Sequence, residues 1–257
     1  MNSSQPALAL PMPSRSAHEL VVHGIGRRIV AGQYPIGSTL PGDADLTERF
    51  SVSRSVLREA LKTLAAKGLI EPKTKVGTRI LEEKRWNMFD ADILSWRLQR
   101  GADAPFFENL FDIRQALEPL AAASAALRRS DEDICRIEAA WRRMGPPDQT
   151  RDGFTSADLA FHRAILDASG NPFLHSIGSV IETALAAAFA LSAPVDDPER
   201  FALALRQHRA ILDAIVARDA NAASAAMTVV IIEGTRWTSM EILRAPSIEI
   251  ALKLFGR

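Results

Sequence analysis

The chain has 257 residues, 47% of them hydrophobic and 24% charged, a composition that excludes a fibrous or wholly disordered protein and allows one or two globular domains. A lone cysteine, Cys135, excludes a disulfide framework within one chain. The sequence shows no signal-peptide pattern and no apolar run of membrane-spanning length, so we expect a cytoplasmic protein without a membrane partner. The net charge is zero, but residues 1–80 hold 11 Lys and Arg against 6 Asp and Glu, which favours a polyanion-binding head.

The first 81 residues follow the order arm, helix, helix, tight turn, helix and hairpin. Residues 1–16 are rich in Pro, Ser and Ala without periodicity, which predicts a disordered arm. Within residues 17–81, Gly32 ends a first helical stripe, Ser53 is a good N-cap, and Gly68 is a helix stop. The predicted elements are helices over residues 18–31, 43–50 and 54–67, and strands over residues 69–71 and 78–80.

The third predicted helix carries the strongest functional signal in the sequence. It follows a short helix and a tight turn, as in the helix-turn-helix, whose second helix enters the major groove of DNA. Its first turns present a polar and basic front made of Ser53, Arg54, Ser55 and Arg58. The predicted inner face behind them consists of Val56, Ala60, Leu61 and Leu64. From this pattern alone, a solvated basic helix in any three-helix domain is an open alternative.

The hairpin after that helix is also basic. Lys73, Lys75 and Arg79 cluster on it, where a wing would contact the DNA backbone or the minor groove. The whole segment resembles the winged helix-turn-helix of the GntR family of bacterial transcription regulators. The family's pattern recurs at Gly32, Tyr34, Gly37, Leu40, Pro41, Leu46, Val52, Ser53, Arg54, Arg58, Glu59, Ala60, Leu61, Gly68, Leu69 and Ile70.

The resemblance implies roles for individual residues of the head. The implied operator contacts are Ser53, Arg54, Ser55 and Arg58, with a wing tip near Thr74 and Lys75, beside Lys73, that reaches the minor groove. Family members often carry an arginine early in the second helix, where this chain has Ala44. That departure implies an altered operator preference or weaker affinity, and not a loss of DNA binding.

Residues 82–104 are predicted to be a linker with a short helix over residues 90–98, and residues 245–257 a C-terminal tail. Between them, residues 105–244 show only helical periodicity, interrupted by short breaks at Gly and Pro. Six helices with short connections form an antiparallel bundle. They are predicted over residues 106–128, 131–144, 154–169, 172–191, 197–218 and 220–243.

This second part of the chain resembles the FCD domain, the helical effector domain of the FadR branch of the same family. The similarity rests on the segments FDIRQALEPLAAASAA, DLAFHRAILDASGNPFL and QHRAILDAIVARDANAASAAM, which occur in the family's order. The expected fold is therefore mainly α, with an N-terminal winged helix-turn-helix followed by an all-helical FCD-type antiparallel bundle. A homodimer is also expected, since it would place two heads on a pseudo-palindromic operator.

Two histidines and one aspartate form a candidate site in the predicted bundle. Asp158 and His162 are four residues apart and share one helix face, a spacing for which a solvated pair is the commoner explanation. However, FHRAIL at His162 is echoed by QHRAIL at His208. Two such helices packed together would point both imidazoles into the bundle centre, where helical bundles build metal sites.

The FCD resemblance implies that a divalent metal, zinc or similar, binds to Asp158, His162 and His208. The family's fourth ligand is a histidine about 22 residues after His208, and Val230 occupies that position here. Three protein ligands completed by water or an effector oxygen are one possibility. The other is a metal-free site in which the histidines bind the effector directly.

Arg114 matches the arginine that similar FCD domains use to bind the effector carboxylate, which a guanidinium grips with two hydrogen bonds. An ion pair with Glu118, four residues later, is the alternative. The segment KRWNMFDADILSW resembles the linker of sugar-acid regulators of the galactonate type. Together with Asp158, His162 and His208, Arg114 is therefore expected to bind a small carboxylate or sugar acid.

The expected function is that of a repressor that binds double-stranded operator DNA and responds to this effector. One competitor is an FCD regulator that senses a fatty acyl-CoA or another larger ligand without metal; the other is a metal-dependent helical-bundle enzyme. The sequence lacks Glu-x-x-His pairs and HExxH, so no enzyme is expected. Asn171 is expected to cap a helix that starts at Pro172 and not to contact the ligand. For Arg236 and Trp237, core or surface packing is favoured over the alternative that they line a pocket.

Overall fold

The computed structural model describes residues 16–101, 103–145 and 149–244, except for the side chains of Val180 and Ile181. The chain forms two compact units that divide between Asn87 and Met88. The predicted tail and all but the last residue of the predicted arm lie outside the described residues. The domain boundaries inferred from the sequence stay predictions, whereas the mainly α fold with one small hairpin is confirmed.

The described residues of the first unit form three helices and a hairpin. These elements are α1 (Ala17–Val30), α2 (Asp43–Phe50), α3 (Arg54–Ala66), β1 (Ile70–Lys73) and β2 (Gly77–Ile80), followed by a 3-10 turn over Glu83–Arg85. Ser16 and Glu19 form a reciprocal capping box that satisfies backbone N–H groups at the start of α1. The two strands are antiparallel, with the buried residues Ile70 and Ile80 opposite each other. This order is the predicted winged helix-turn-helix.

The core of the first unit lies where α1 packs against α3. On α3 the buried residues are Leu57, Ala60 and Leu64, whereas Val56 and Leu61 are only half-buried. The predicted inner face is therefore wrong at Val56 and Leu61, and it omits Leu57. A period of 3.6 residues allows either of two adjacent stripes to face inward, and only the packing against α1 decides between them.

The turn after α3 requires a glycine. Gly68 has φ +78°, and a Cβ added there would lie 2.1 Å from the carbonyl oxygen of Arg85. Gly32, after α1, has a similar φ of +74°, but a Cβ there would have no neighbour within 4 Å in the described structure. Gly68 is therefore required both for its positive φ and for the close approach of the Arg85 carbonyl, whereas Gly32 is required only for its positive φ.

The second unit is helical wherever secondary structure is described. Its helices are α4 (Ala91–Gly101), α5 (Ala104–Arg128), α6 (Asp131–Met144), α7 (Arg151–Ala168), α8 (Pro172–Ser192), α9 (Pro198–Val216) and α10 (Ala220–Arg244). α5 packs most extensively against α10, and α7 packs against both α6 and α8. α4, which falls in the predicted linker, packs against α8 and contributes Leu94 and Leu98 to the core. The predicted cap is confirmed, because Asn171 accepts a hydrogen bond from the N–H of Phe173 at 3.0 Å.

Helix α8 is bent, and its two segments, Pro172–Ser179 and Glu182–Ser192, make an angle of 66°. A Gly–Ser pair at residues 178–179 precedes the bend, as is common for helix kinks. A Cβ on Gly178 would lie 2.5 Å from Leu166 on α7, so this glycine also permits close packing. Among the described residues no single helix is long and apolar enough to cross a membrane; these two segments reach that length and composition only together.

Candidate functional site

The front of α3 is exposed to solvent. The Ser53 hydroxyl caps the helix by accepting a hydrogen bond from the N–H of Val56, and it lies 2.8 Å from the hydroxyl of Ser55. Arg54 and Arg58 are exposed, and neither makes an ion pair within the described part of the chain. Their guanidinium groups are therefore available to an external anion.

A groove joins this helix front to the hairpin. Arg54 and Arg58 line it together with Ala44 at the start of α2 and Thr78 on β2. At the hairpin tip, Lys75 has φ +64°, and the exposed residues are Lys73, Thr74 and Lys75. The structure thus places Arg54 and Arg58 in one groove with Ala44 and with Thr78 of the hairpin, whereas Ser53, Ser55 and the residues of the hairpin tip do not line it.

Five ionisable side chains meet in the interior of the second unit. They are Arg114 and Glu118 on α5, Asp158 and His162 on α7, and His208 on α9, with exposed fractions of 2%, 4%, 7%, 2% and 4%. Such groups are rarely buried unless they are paired or hold a ligand. The four-residue spacing on α5 and on α7 places each intrahelical pair on one helix face.

The structure brings the three predicted metal ligands together. The Asp158 Oδ1 atom lies 3.0 Å from Nε2 of His208 and 3.3 Å from Nε2 of His162. One ligand atom from each residue lies within 4.8 Å of the other two. The i, i+4 pair is therefore buried in the bundle, and the solvated alternative is wrong.

The other ring nitrogen of each imidazole, Nδ1, lies close to an acceptor that is not Asp158. Nδ1 of His208 lies 2.8 Å from the carbonyl oxygen of Ala204, and Nδ1 of His162 lies 2.7 Å from a carboxylate oxygen of Glu118. An acceptor at Nδ1 favours the proton on that nitrogen and leaves Nε2 for a ligand. Spacing alone identifies Glu118 only as a partner of Arg114, because its approach to His162 depends on the packing of α5 against α7.

The charges of this cluster are strongly coupled. Burial opposes the charge on His162, but the carboxylates of Glu118 and Asp158 raise the pKa of His162 to about 9. Burial likewise opposes ionisation of Glu118, but Arg114 and His162 lower the pKa of Glu118 to about 2. Asp158 follows the same pattern, since His208 and His162 outweigh burial and hold its pKa below the usual range. In the absence of metal, His162 is therefore an imidazolium between two carboxylates at neutral pH.

The donor set fits a divalent metal such as zinc. Zn²⁺ accepts imidazole and carboxylate ligands, and tetrahedral zinc with bonds of about 2.05 Å places its ligand atoms roughly 3.3 Å apart. The 3.0 and 3.3 Å separations around Asp158 are close to that value. Both ring nitrogens of His162 are buried and lack a hydrogen bond of regular geometry, although the two carboxylates approach them. Val230 lines the same cavity and offers no fourth ligand.

Arg114 is paired within its own helix. Its Nε and Nη2 atoms donate to the two carboxylate oxygens of Glu118 at 2.6 and 3.2 Å, so the ion pair considered from the spacing is formed. The guanidinium also lies 4.6 Å from the ring centroid of Phe189. Nη1 takes part in neither hydrogen bond, and a Cβ on Gly234 would lie 3.8 Å from it. Arg114 thus presents one nitrogen toward α10.

A cavity lies beside the cluster, and its wall includes residues of α5, α7, α8, α9 and α10. The volume open to the centre of a water molecule is about 60 Å³. One water needs about 10–15 Å³ of this measure, so the space suits a small acid better than a fatty acyl chain. Trp237 lines the cavity, which favours the pocket alternative for this residue, whereas the Arg236 side chain is 64% exposed.

Comparison with known proteins assigns both units. Residues 18–80 match the bacterial regulatory proteins of the gntR family, and residues 109–232 match the FCD domain. The galactonate operon transcriptional repressor of Escherichia coli K12 is 34% identical over 216 residues, which covers 84% of this chain and 94% of the relative. The Uxu operon transcriptional regulator of the same organism is 30% identical over 211 residues, or 77% of each protein.

A solved structure agrees with the fold. The structure of Lar, which controls expression of the Listeria monocytogenes agr system, matches 91% of this chain and 100% of its own with a TM-score of 0.59 and 17% identity. At that identity the likeness shows the fold alone. The matching families and relatives are transcription regulators, which excludes the metalloenzyme alternative. The chain therefore belongs to the GntR family of bacterial transcription regulators and carries a C-terminal FCD domain.

Proposed function

We propose that this regulator is a cytoplasmic repressor that leaves its operator when a small sugar acid or related hydroxy acid binds in the second unit. The observation that carries the proposal is the buried cluster of Asp158, His162 and His208 beside Arg114, which borders a cavity of small-molecule size. The relative named for the galactonate operon supports the sugar-acid class. The small volume and the charged lining argue against a fatty acyl ligand.

Asp158, His162 and His208 would hold a divalent metal, which would supply a Lewis-acidic centre for oxygen atoms of the effector. The chain itself contributes the second anchor for the carboxylate at Arg114. Because Glu118 already occupies Nε and Nη2, an incoming carboxylate uses Nη1 or displaces Glu118. In either case the effector and Glu118 would share one guanidinium, and Glu118, which approaches Nδ1 of His162, would link the effector to that histidine.

The operator contacts in this proposal are Ser53, Arg54, Ser55 and Arg58 on α3 and Lys73, Thr74 and Lys75 on the wing. All seven are exposed, which supports the proposal. Arg54 and Arg58 also line the groove and make no ion pair in the described structure. Arginine at the start of a recognition helix reads base edges, whereas lysine on a wing neutralises phosphate charge.

The proposed repressor is a homodimer that uses α5 and α10. Ile113, Leu120 and Leu127 are 38%, 53% and 63% exposed and recur every seven residues, so they form one stripe on α5. On the adjacent α10, Val229 and Ile232 are 45% and 50% exposed. Exposed apolar side chains on two helices that pack together are typical of a protein interface.

The test is fluorescence anisotropy of the full-length protein on DNA from the region upstream of its own gene, titrated with galactonate, gluconate or lactate. We expect at least one acid to release the DNA, and Arg114→Gln to raise the required concentration about tenfold or more without changing DNA affinity. Arg209→Gln, which removes a charge from the surface of α9, is the matched control. Specific DNA binding that no hydroxy acid weakens at millimolar concentration would falsify the proposal.

A further inference from the structure

Arg200 marks an end of the effector cavity that the proposed function leaves unused. It lies in the first turn of α9, eight residues before His208, and both residues line the cavity. At 1.5 Å per residue, their backbones are roughly 12 Å apart along the helix. The cavity therefore has ligand-binding groups at two separate places, the buried histidine cluster and a guanidinium near the start of α9.

Two nitrogens of the Arg200 guanidinium, Nε and Nη1, make no hydrogen bond in the described structure. Its guanidinium carbon lies 3.5 Å from the centroid of the Trp237 ring, and Nη2 donates to the carbonyl oxygen of Ser192 at 3.2 Å. The Nε atom is buried and has no hydrogen-bond partner in the described structure. Asp197 and Glu241 act on it only through space, and no ion pair with Arg200 is formed among the described residues. Buried donors without a partner are uncommon in folded proteins.

A second arginine on the same helix shows what a purely structural arginine looks like here. Arg209 also faces an indole ring, with its guanidinium carbon 5.0 Å from the centroid of Trp141. Its Nε donates to Asp213 at 2.7 Å, however, and its side chain is 44% exposed. Arg200 has the same aromatic contact but lacks the carboxylate, and it faces the cavity.

We propose that Arg200 binds a second anionic group at the far end of the effector, so that the preferred effectors are hydroxy acids with a carboxylate or phosphate at both ends. This inference rests on the proposed function, which places the first carboxylate at Arg114 and the histidine cluster. Trp237 holds the guanidinium flat, and Nη1, which makes no hydrogen bond in the described structure, is the nitrogen that offers a donor to an oxyanion. Gln207, seven residues after Arg200 on the same side of α9 and next to His208, also lines the cavity and would be a hydrogen-bonding partner for hydroxyl groups near the histidine end.

The test is isothermal titration of the full-length protein with two matched pairs of acids. Galactonate is compared with galactarate, which adds a second carboxylate, and gluconate with 6-phosphogluconate, which adds a phosphate. We expect at least one two-ended acid to bind about tenfold or more tightly than its one-ended partner. Whether galactarate or 6-phosphogluconate gains affinity identifies the anion that Arg200 prefers.

Arg200→Gln should abolish that gain while changing the affinity for galactonate and gluconate less than about twofold, and Arg200→Lys should keep part of it. Arg209→Gln should leave all four affinities unchanged, and thermal unfolding checks that each variant is folded. Equal binding of one-ended and two-ended acids overturns the inference but leaves the proposed function intact. Equal weakening of both kinds by Arg200→Gln also overturns it. If none of the four acids binds, both the inference and the proposed function fail.

Discussion

His162 and His208 meet edge to face inside the second unit, with ring centroids 5.6 Å apart and planes at 90°. They lie on α7 and α9, and α5 packs against both helices. The Asp158 carboxylate reaches Nε2 of each ring. Tertiary packing therefore adds His208 to an ordinary i, i+4 pair and forms a buried cluster of three residues.

Zinc content should depend on both histidines. Full-length protein dialysed against zinc and then buffer should retain about one zinc ion per chain, measured by plasma mass spectrometry. His208→Ala should lose most of it, because two protein ligands bind far more weakly than three. His175→Ala removes an exposed histidine that pairs with Asp167 and should retain zinc. Stoichiometric zinc in His208→Ala would contradict the assignment.

Arg54→Ala should weaken specific operator binding by about 1–3 kcal/mol, roughly 5-fold to 150-fold, with the fold intact. The reason is the loss of an exposed guanidinium at the start of α3. Gel shifts on operator and scrambled DNA measure it. Arg27→Ala removes a charge of the same sign from the exposed side of α1 and serves as the control. Equal affinities of Arg54→Ala and wild type for the operator would refute the recognition-helix assignment.

Leu57→Ala should destabilise the first unit by about 2–5 kcal/mol, because Leu57 is 1% exposed in the core and its truncation leaves a cavity. Val56→Ala, next to it but half-buried, should lose less. Urea unfolding of the full-length chain, followed by circular dichroism, compares the two. If Val56→Ala lost more stability than Leu57→Ala, α3 would pack against α1 through the stripe that contains Val56 and Leu61.

Gly68→Ala should be more damaging than Gly32→Ala. Both glycines have positive φ, so alanine at either position should cost about 1–2 kcal/mol in backbone strain. Only at Gly68 does the added Cβ also collide with the carbonyl of Arg85. The difference between the two variants in urea unfolding isolates that collision. Equal losses would show that the chain near Arg85 moves away freely.

The metal-free protein should lose stability at alkaline pH. The pKa of His162 is raised from 6.5 to about 9, so its contribution is fully present below pH 6.5 and is lost as the pH rises through 9. The melting temperature in chelator should decline over that range, and more so than for His162→Gln. Zinc should reduce the decline, because the metal replaces the proton on His162. Parallel declines for wild type and His162→Gln would count against this coupling.

Local signals in the sequence predict most of the fold. Ser53 and Asn171 mark helix starts because capping is decided within three residues, and the breaks at glycine and proline separate the helices of the bundle. The choice of Leu57 over Val56 as the inward residue is not local, since it depends on where α1 packs. Periodicity therefore predicts the helix but leaves its rotation open.

The candidate site likewise contains residues that the sequence predicts and contacts that only the packing of the helices creates. The repeated HRAIL segment and the family resemblance predict the meeting of Asp158, His162 and His208. The contact between Glu118 and His162 and the stacking of Arg200 on Trp237 join residues 44 and 37 positions apart, with no recurring spacing to reveal them. Glutamate is also rarely buried, and the burial of Glu118 is explained only by its contacts with both Arg114 and His162.

Helix α5 has two sides, to which the proposed function assigns different partners. Arg114 and Glu118 lie on its buried side, and Ile113, Leu120 and Leu127 lie on its exposed side. A helix with its side chains is only about 10 Å wide, so the effector and a second protomer would contact opposite sides of the same helix. Helix shifts of about 1–2 Å are typical at the interfaces of allosteric proteins. A displacement of that size at Glu118 would reach the partner across a single helix, without a chain of intermediate contacts.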